Sequence, residues 1–310
     1  MDVLQRTPKT VIRCYELLDA AIAGGVKDFT DGMYLGDPTI PYVQAQKNQA
    51  DWLINQVISN KGQRLLDVGC GNGRILEAAR GKGVQATGIT ISKQQLRRCR
   101  AKGLDVYLMD YLELPERWAN QFDGIIANGT IEHFVQPQDA IDDKQNDIYQ
   151  NMFRIIHRLL KSDGKLVTTT IHFNQTIDPN DILKGSKAYR KGDSNYHFAQ
   201  VLLEDFGGWY PQKNQLVDCA SETFKLLDRQ DGTQDYHWTS EYWLKEMKKQ
   251  IPRNSKVWWA LLKKMFIHPN ATFSMLDNLI ISQSWMWQFR ELEDEKTPTR
   301  LYRDVWEKVT

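Results

Sequence analysis

Hydrophobic and polar positions change period along the chain, and the change divides it. Between residues 61 and 172, short apolar runs at 64–68, 85–89, 106–109, 124–127 and 165–171 predict strands. The segments 74–79, 93–102 and 146–160 repeat apolar residues every three to four positions and predict helices. Strands alternating with helices at this interval predict an α/β fold, a doubly wound parallel sheet whose ligand lies at the carboxyl ends of the strands. Ahead of this core, Val11, Ile12, Tyr15, Leu18 and Ile22 have helical spacing over 10–24, and a second helix is predicted over 43–58, giving an N-terminal helical extension over 1–60. After His172 the rhythm stops, and 173–216, rich in Asn, Asp, Gly, Lys and Tyr, is expected to be an irregular, lid-like insertion. From 217 to 310, strands at 224–228 and 301–306 and helices at 240–249, 257–266 and 275–289 complete one domain as a C-terminal cover.

Composition narrows the classes. With 310 residues and 41% hydrophobic side chains the chain can bury a large core. A net charge of +1 supplies no global basic field, so no nucleic-acid partner is expected. Cys14, Cys70, Cys99 and Cys219 are scattered without a Cys-x-x-Cys pair, which predicts free thiols in a reducing cytoplasm and no metal. No leader-like N-terminus and no membrane-length apolar run is read, so the expected localisation is cytoplasmic.

Candidate chemistry begins at Asp67-Val68-Gly69-Cys70-Gly71-Asn72-Gly73, where a strand enters a glycine turn and then a helix. Glycines tolerate positive φ and allow backbone and helix N-terminus to approach a ligand. The spacing alone fits a dinucleotide fold, a methyltransferase or a plain tight loop. A dinucleotide site would carry an acidic residue about 20 positions later; Gly88-Ile89-Thr90-Ile91-Ser92-Lys93-Gln94-Gln95 has only hydroxyls and amides as candidates, which counts against NAD. Asp110 and Tyr111, after the third strand, offer a carboxylate for an exocyclic amine and an aromatic face. Glu132 and His133 follow the fourth strand, where a carboxylate can accept a proton or stabilise positive charge beside an imidazole that titrates near neutrality.

These blocks, with Gly129-Thr130-Ile131-Glu132-His133-Phe134, resemble in order and spacing the S-adenosylmethionine-dependent class I methyltransferases, and among them the group of cyclopropane fatty acid synthase and coclaurine N-methyltransferase. The resemblance implies a Rossmann-like, seven-stranded methyltransferase sheet and S-adenosyl-L-methionine as cofactor, with S-adenosyl-L-homocysteine as product. Carried over residue by residue, Gly69, Gly71 and Gly73 would lie along the methionine, Thr90 and Gln95 would bond the ribose, Asp110 and Tyr111 would hold the adenine, and Gly129 would flank the sulfonium, with Asp67, Ile91 and Asn128 in the same set. Cyclopropane synthases of this group grip a bicarbonate base with a cysteine, a glutamate, a histidine and a tyrosine. Here Glu132 and Tyr236 match, while Asp31 and Thr169 replace the cysteine and histidine. An acidic Asp31 repels bicarbonate, so methylation without ring closure is expected. The implied catalytic set is Glu132, His133 and Tyr236, and the implied substrate pocket adds Asp31, Tyr34, Thr169 and His172.

The acceptor is expected to be a small or lipid-like molecule methylated on carbon, nitrogen or oxygen. Cyclopropane-synthase-like lipid modification, a non-catalytic S-adenosylmethionine-binding protein and a nicotinamide-dependent oxidoreductase stay open as alternatives. Lys256-Val257-Trp258-Trp259-Ala260-Leu261-Leu262-Lys263-Lys264-Met265-Phe266 and Ser284-Trp285-Met286-Trp287 are expected to pack as a helical cover with solvated lysines, the alternatives being a basic amphipathic surface that meets an anionic lipid or carrier and an apolar wall around the acceptor.

Overall fold

The computed structural model describes residues 10, 11, 14, 29–290 and 296–309. Most of the helix expected over 10–24 lies outside the described residues; Thr10, Val11 and Cys14 are helical. In chain order the core comprises α1 (Tyr42–Val57), β1 (Arg64–Val68), α2 (Arg74–Gly81), β2 (Gln85–Thr90), α3 (Lys93–Ala101), β3 (Asp105–Leu108), β4 (Phe122–Asn128), α4 (Gln145–Leu159) and β5 (Leu160–Phe173). It is completed by β6 (Phe224–Asp231), α5 (Thr233–Gln250), α6 (Ser255–Ile267), α7 (Pro269–Leu276) and β7 (Thr299–Lys308).

The seven strands lie in the order β3-β2-β1-β4-β5-β7-β6. β7 alone runs antiparallel to its neighbours. Leu65 and Leu66 of β1 and Ile125 and Ile126 of β4 are fully buried because helices cover both faces of the sheet, as parallel sheets require. Ala50, Leu53, Ile54 and Val57 of α1 pack on one face with Leu65, Ile126 and Val167. On the other face Tyr149, Met152, Phe153 and Ile156 of α4 meet Leu66, Ile125 and Leu166. The chain order reverses between β1 and β4, which opens a crevice at their carboxyl ends.

The predicted strands form within a few residues of their expected bounds, including the final antiparallel strand. Three expectations are corrected. The 173–216 stretch is organised, with short helices at Pro179–Leu183, Ser194–Phe198 and Gln215–Ala220 and a π-helical turn at Ala199–Asp205. The helix expected over 275–289 breaks: after α7 come a π-helical turn at Asp277–Ile281 and Gln283 at φ 53°, and only then Ser284–Trp287. The side chain of Asn278 accepts from Trp285 N–H across this break, so a side chain replaces the helical ladder there. Finally, the tryptophans of α6 are not packed, since Trp258 and Trp259 are exposed together with Phe266 and, on α7, Phe273. Among the described residues no helix is long and apolar enough to cross a membrane.

Candidate active site

The glycine turn that ends β1 has Gly69, Gly71 and Gly73 at φ 81°, 52° and 83°. Each glycine serves a different need. A Cβ on Gly69 would lie 2.6 Å from Thr130 Oγ1, and one on Gly73 would lie 2.4 Å from Leu104, whereas a Cβ on Gly71 would meet nothing. Gly69 and Gly73 therefore permit close packing, and Gly71 keeps open space. The Gly69 and Cys70 N–H groups both donate to the Ile89 carbonyl, so β2 holds the turn and these two amides are already satisfied.

This turn forms one end of a cavity of about 310 Å³ at the carboxyl edge of β1, β2 and β4. At the end of β2, Thr90 Oγ1 donates to Gln95 Oε1 at 2.7 Å, a pair fixed because Ser92 caps α3 through Gln95 N–H. After β3, Asp110 accepts from Leu112 N–H at 3.0 Å, and Tyr111 stacks on Phe134 with centroids 4.0 Å apart, which covers one ring face. Asp67, Ile91, Asn128 and Gly129 also line this end. Burial pushes the Asp67 carboxyl up to about 8, and its Oδ2 has no hydrogen-bond partner among the described residues.

At the other end the short helix Ile131–His133 follows β4 and presents Glu132 and His133. Glu132 Oε1 accepts from Ile171 N–H at 2.9 Å, while Oε2 lacks a partner among the described residues. Burial raises the carboxyl to about 7, the Ile171 hydrogen bond opposing and the Asp31 charge adding to the rise. Burial lowers the His133 pKa, so the ring is neutral near pH 7. Its Nδ1 stands 2.6 Å from the Gly207 carbonyl, which puts the proton of the neutral ring on Nδ1. Gly208, at φ 150°, touches the Glu132 carbonyl so closely that a Cβ would come within 2.1 Å of it. Trp209 N–H donates to that same carbonyl at 3.0 Å. The 173–216 stretch thus rests directly on the Glu-His pair.

Opposite Glu132, Asp31 lines the cavity and is held from behind. Arg303 on β7, 1% exposed, donates to Asp31 Oδ2 at 2.8 Å, to the Gly32 carbonyl at 3.0 Å and to Asp235 Oδ2 at 2.7 Å, and Gln49 donates to Asp31 Oδ1. Burial raises the Asp31 pKa against the pull of Arg303. Tyr236 follows Asp235 in the first turn of α5, packed at 4.4 Å on Phe289 and edge-on to Trp243 and Trp285. Tyr236, Trp243 and Trp285 give this end an aromatic wall.

Three expected residues do not reach the cavity. Thr169 and Ile171 line it, and because side chains alternate along a strand, His172 points to the opposite face of β5. There it packs on Tyr302, bonds the Thr170 carbonyl and is held neutral by burial, its pKa pushed down to about 3. Tyr34 turns its ring to Trp238 and uses its backbone N–H on Asp235. Gly73 is a packing position under Leu104. Conversely, Arg303, Gln49, Gly207 and Gly208 belong to the surroundings of this end and carried no motif, whereas Trp285 comes from the aromatic stretch already singled out in the sequence. The one available sign was a charged Arg303 between apolar Leu301 and Val305 in the final strand.

A family model described as mycolic acid cyclopropane synthetase matches residues 33–269. The chain belongs to this family. It is 28% identical over 211 residues to the cyclopropane-fatty-acyl-phospholipid synthase of Escherichia coli, the match covering 59% of this chain and 51% of that protein. A probable fatty acid methyltransferase of Pseudomonas putida is 38% identical over 109 residues, 32% of this chain and 27% of that one. The matches thus span about half or less of these two relatives. Among solved structures, a cyclopropane synthase of Mycobacterium tuberculosis superposes with TM-score 0.74 at 18% identity, covering 98% of this chain and 99% of that one. Coclaurine N-methyltransferase, bound to N-methylheliamine and S-adenosylhomocysteine, gives 0.69 at 17% identity, covering 98% and 80%. The fold is that of the Rossmann-like class I methyltransferases, as the motif blocks implied.

Proposed function

We propose that this chain is an S-adenosylmethionine-dependent methyltransferase that methylates a small or lipid-like acceptor on carbon, nitrogen or oxygen without closing a cyclopropane ring. The observation that carries the proposal is one continuous cavity joining the Gly69–Gly71 turn, Thr90 and Asp110 to Glu132, Thr169 and Tyr236. The residues present suit the cofactor, because a Cβ at Gly71 or Gly129 would project into open space and Thr90 with Gln95 offers neutral partners for ribose hydroxyls. Gly69, Gly71, Asn128 and Gly129 would hold the methionine part, and Asp110 with the free side of Tyr111 the adenine. When bound, that cofactor supplies an electrophilic methyl group on a positively charged sulfur.

The chain's own residues then orient the acceptor, which must be held in line at near-attack distance. Glu132 Oε2 takes the proton of an amine or hydroxyl acceptor, and its carboxyl, poised near 7, suits that task. Tyr236, Trp243 and Trp285 line this end as aromatic groups that can stabilise positive charge developing on the acceptor. Asp31, anchored by Arg303, adds a fixed carboxylate that disfavours a bicarbonate anion beside it, and Thr169 brings no basic nitrogen. Cyclopropane formation on an unsaturated acyl chain is the second reading, favoured by the family match.

Calorimetric titration of protein freed of copurified ligand tests the cofactor; absence of S-adenosylmethionine binding overturns the proposal. Incubation with unsaturated phospholipids, fatty acids and alkylamines, followed by proton NMR of the product, tests the chemistry. Methyl resonances are expected, and ring-methylene resonances of a cyclopropane would establish the second reading.

A further inference from the structure

The outer face of the C-terminal cover has no counterpart in the methyl-transfer reading. α6 exposes Trp258, Trp259, Leu262, Phe266 and Ile267, with Phe266 95% and Trp259 66% accessible, and α7 adds Phe273 beside them. Large apolar groups scattered singly on a surface need no explanation, but this many on two packed helices form a patch of the kind that marks an interaction site. Lys256, Lys263 and Lys264 share a groove with Trp259 and have no ion-pair partner among the described residues. Arg98 of α3 lines both this groove and the main cavity, and Leu279 and Trp285, from the same helical cover, line the cavity from within. The helical cover that carries the patch thus also forms part of the cavity wall.

We propose that α6 and α7 dock the protein in the plane of a lipid bilayer that carries anionic headgroups. The side chains of this face select the partner. Trp and Phe side chains suit the headgroup–acyl boundary, and lysines interleaved with them meet negative headgroups. α6 has 13 residues, too few to span a bilayer, so it lies on the surface. A second copy of the chain is the poorer occupant, because a two-fold interface confined to this patch would gather two lysine clusters on one small surface with no acidic side chain of the patch to neutralise them. Docking itself requires no methyl transfer.

The test is co-flotation of the full chain with vesicles of pure phosphatidylcholine or of phosphatidylcholine mixed with phosphatidylglycerol. Flotation is expected with the anionic vesicles and weaker flotation as salt rises. The double variant W259S/F266S should release the protein, and K263E/K264E should lower the apparent affinity by roughly tenfold or more, near the effect of two surface lysines. Leu227→Ser, an exposed leucine on β6, should float like the parent. Melting curves of all variants should match the parent, since the replaced side chains are solvent-exposed. No flotation of the parent on anionic vesicles overturns the proposal, as does flotation unaffected by both double variants. Sedimentation equilibrium supplies the remaining arm: a parent dimer that W259S/F266S converts to monomer, without vesicle binding by either, assigns the patch to self-association and overturns the lipid assignment.

Discussion

Glu132 shows how one side chain concentrates the chemistry of the site. Its Oε1 is tied to the Ile171 N–H, and its Oε2 is buried without a hydrogen-bond partner among the described residues. Replacing it by Gln should keep S-adenosylmethionine affinity within about twofold and lower methyl transfer by roughly a hundredfold or more, as expected for loss of a general base. With the parent, transfer should rise with pH and level off above about 7, where Glu132 has lost its proton; a flat profile between acid and neutral pH refutes the base assignment. The stability sign runs the other way. A carboxyl whose folded pKa is raised favours the native state while protonated, so its contribution is present below about 4.5 and is lost as pH climbs through about 7. Denaturant unfolding should therefore show Glu132→Gln gaining stability over the parent as pH passes from acid to 7, by an amount on the order of 3 kcal/mol at most. Gly208 makes a second prediction. Ala at this position drives a Cβ into the Glu132 carbonyl and should cost about 2 kcal/mol or more, read as a lower urea midpoint, whereas an unchanged midpoint would deny the close approach.

At the scale of elements, β7 is the unexpected organiser. It is the reversed strand between β5 and β6, and through Arg303 it clamps the Asp31 loop to the start of α5, where Tyr236 sits. Removing one partner of a buried ion pair leaves uncompensated charge, so Arg303→Met should cost about 3–5 kcal/mol in chemical unfolding. Adding Asp31→Asn and Asp235→Asn to that variant should restore a large part of the loss; no recovery would mean that the guanidinium acts by packing alone. The mixed run Leu301-Tyr302-Arg303-Asp304-Val305 looks ambiguous as a strand because alternation is read from polarity. Arg303 and Asp304 are both buried, and each is neutralised by residues far away in sequence, Asp304 by Arg229 at 2.7 Å. The π-helical turn at Asp277–Ile281 and the left-handed Gln283 were equally illegible, since Gln carries no local preference for positive φ.

For the whole molecule, the crevice between β1 and β4 and the cover above it form one cavity, and a ligand that bridges them should stabilise the entire fold. Saturating S-adenosylmethionine, at about a hundredfold over its dissociation constant, should add roughly 2.7 kcal/mol and raise the melting temperature, while NAD should leave it unchanged. A rise with NAD alone would return the glycine turn to the dinucleotide class.

What the sequence determined by itself is everything that depends on neighbours in the chain. The period of apolar residues set five parallel strands and their helices, and the contiguous blocks 67–73, 88–95, 110–111 and 129–134 placed their candidate site residues, Gly73 excepted, along one cavity. Tertiary structure decided what depends on desolvation and on meetings across long separations. Arg303 finds Asp31 across 272 positions, Gly207 and Gly208 seat the 173–216 stretch on Glu132 and His133, and strand alternation sends His172 away from the site. The same limit applies to α6. Its apolar residues surround the helix with no clean polar face, so only the packed fold decides which of them are buried and which, like Trp259 and Phe266, remain in solvent.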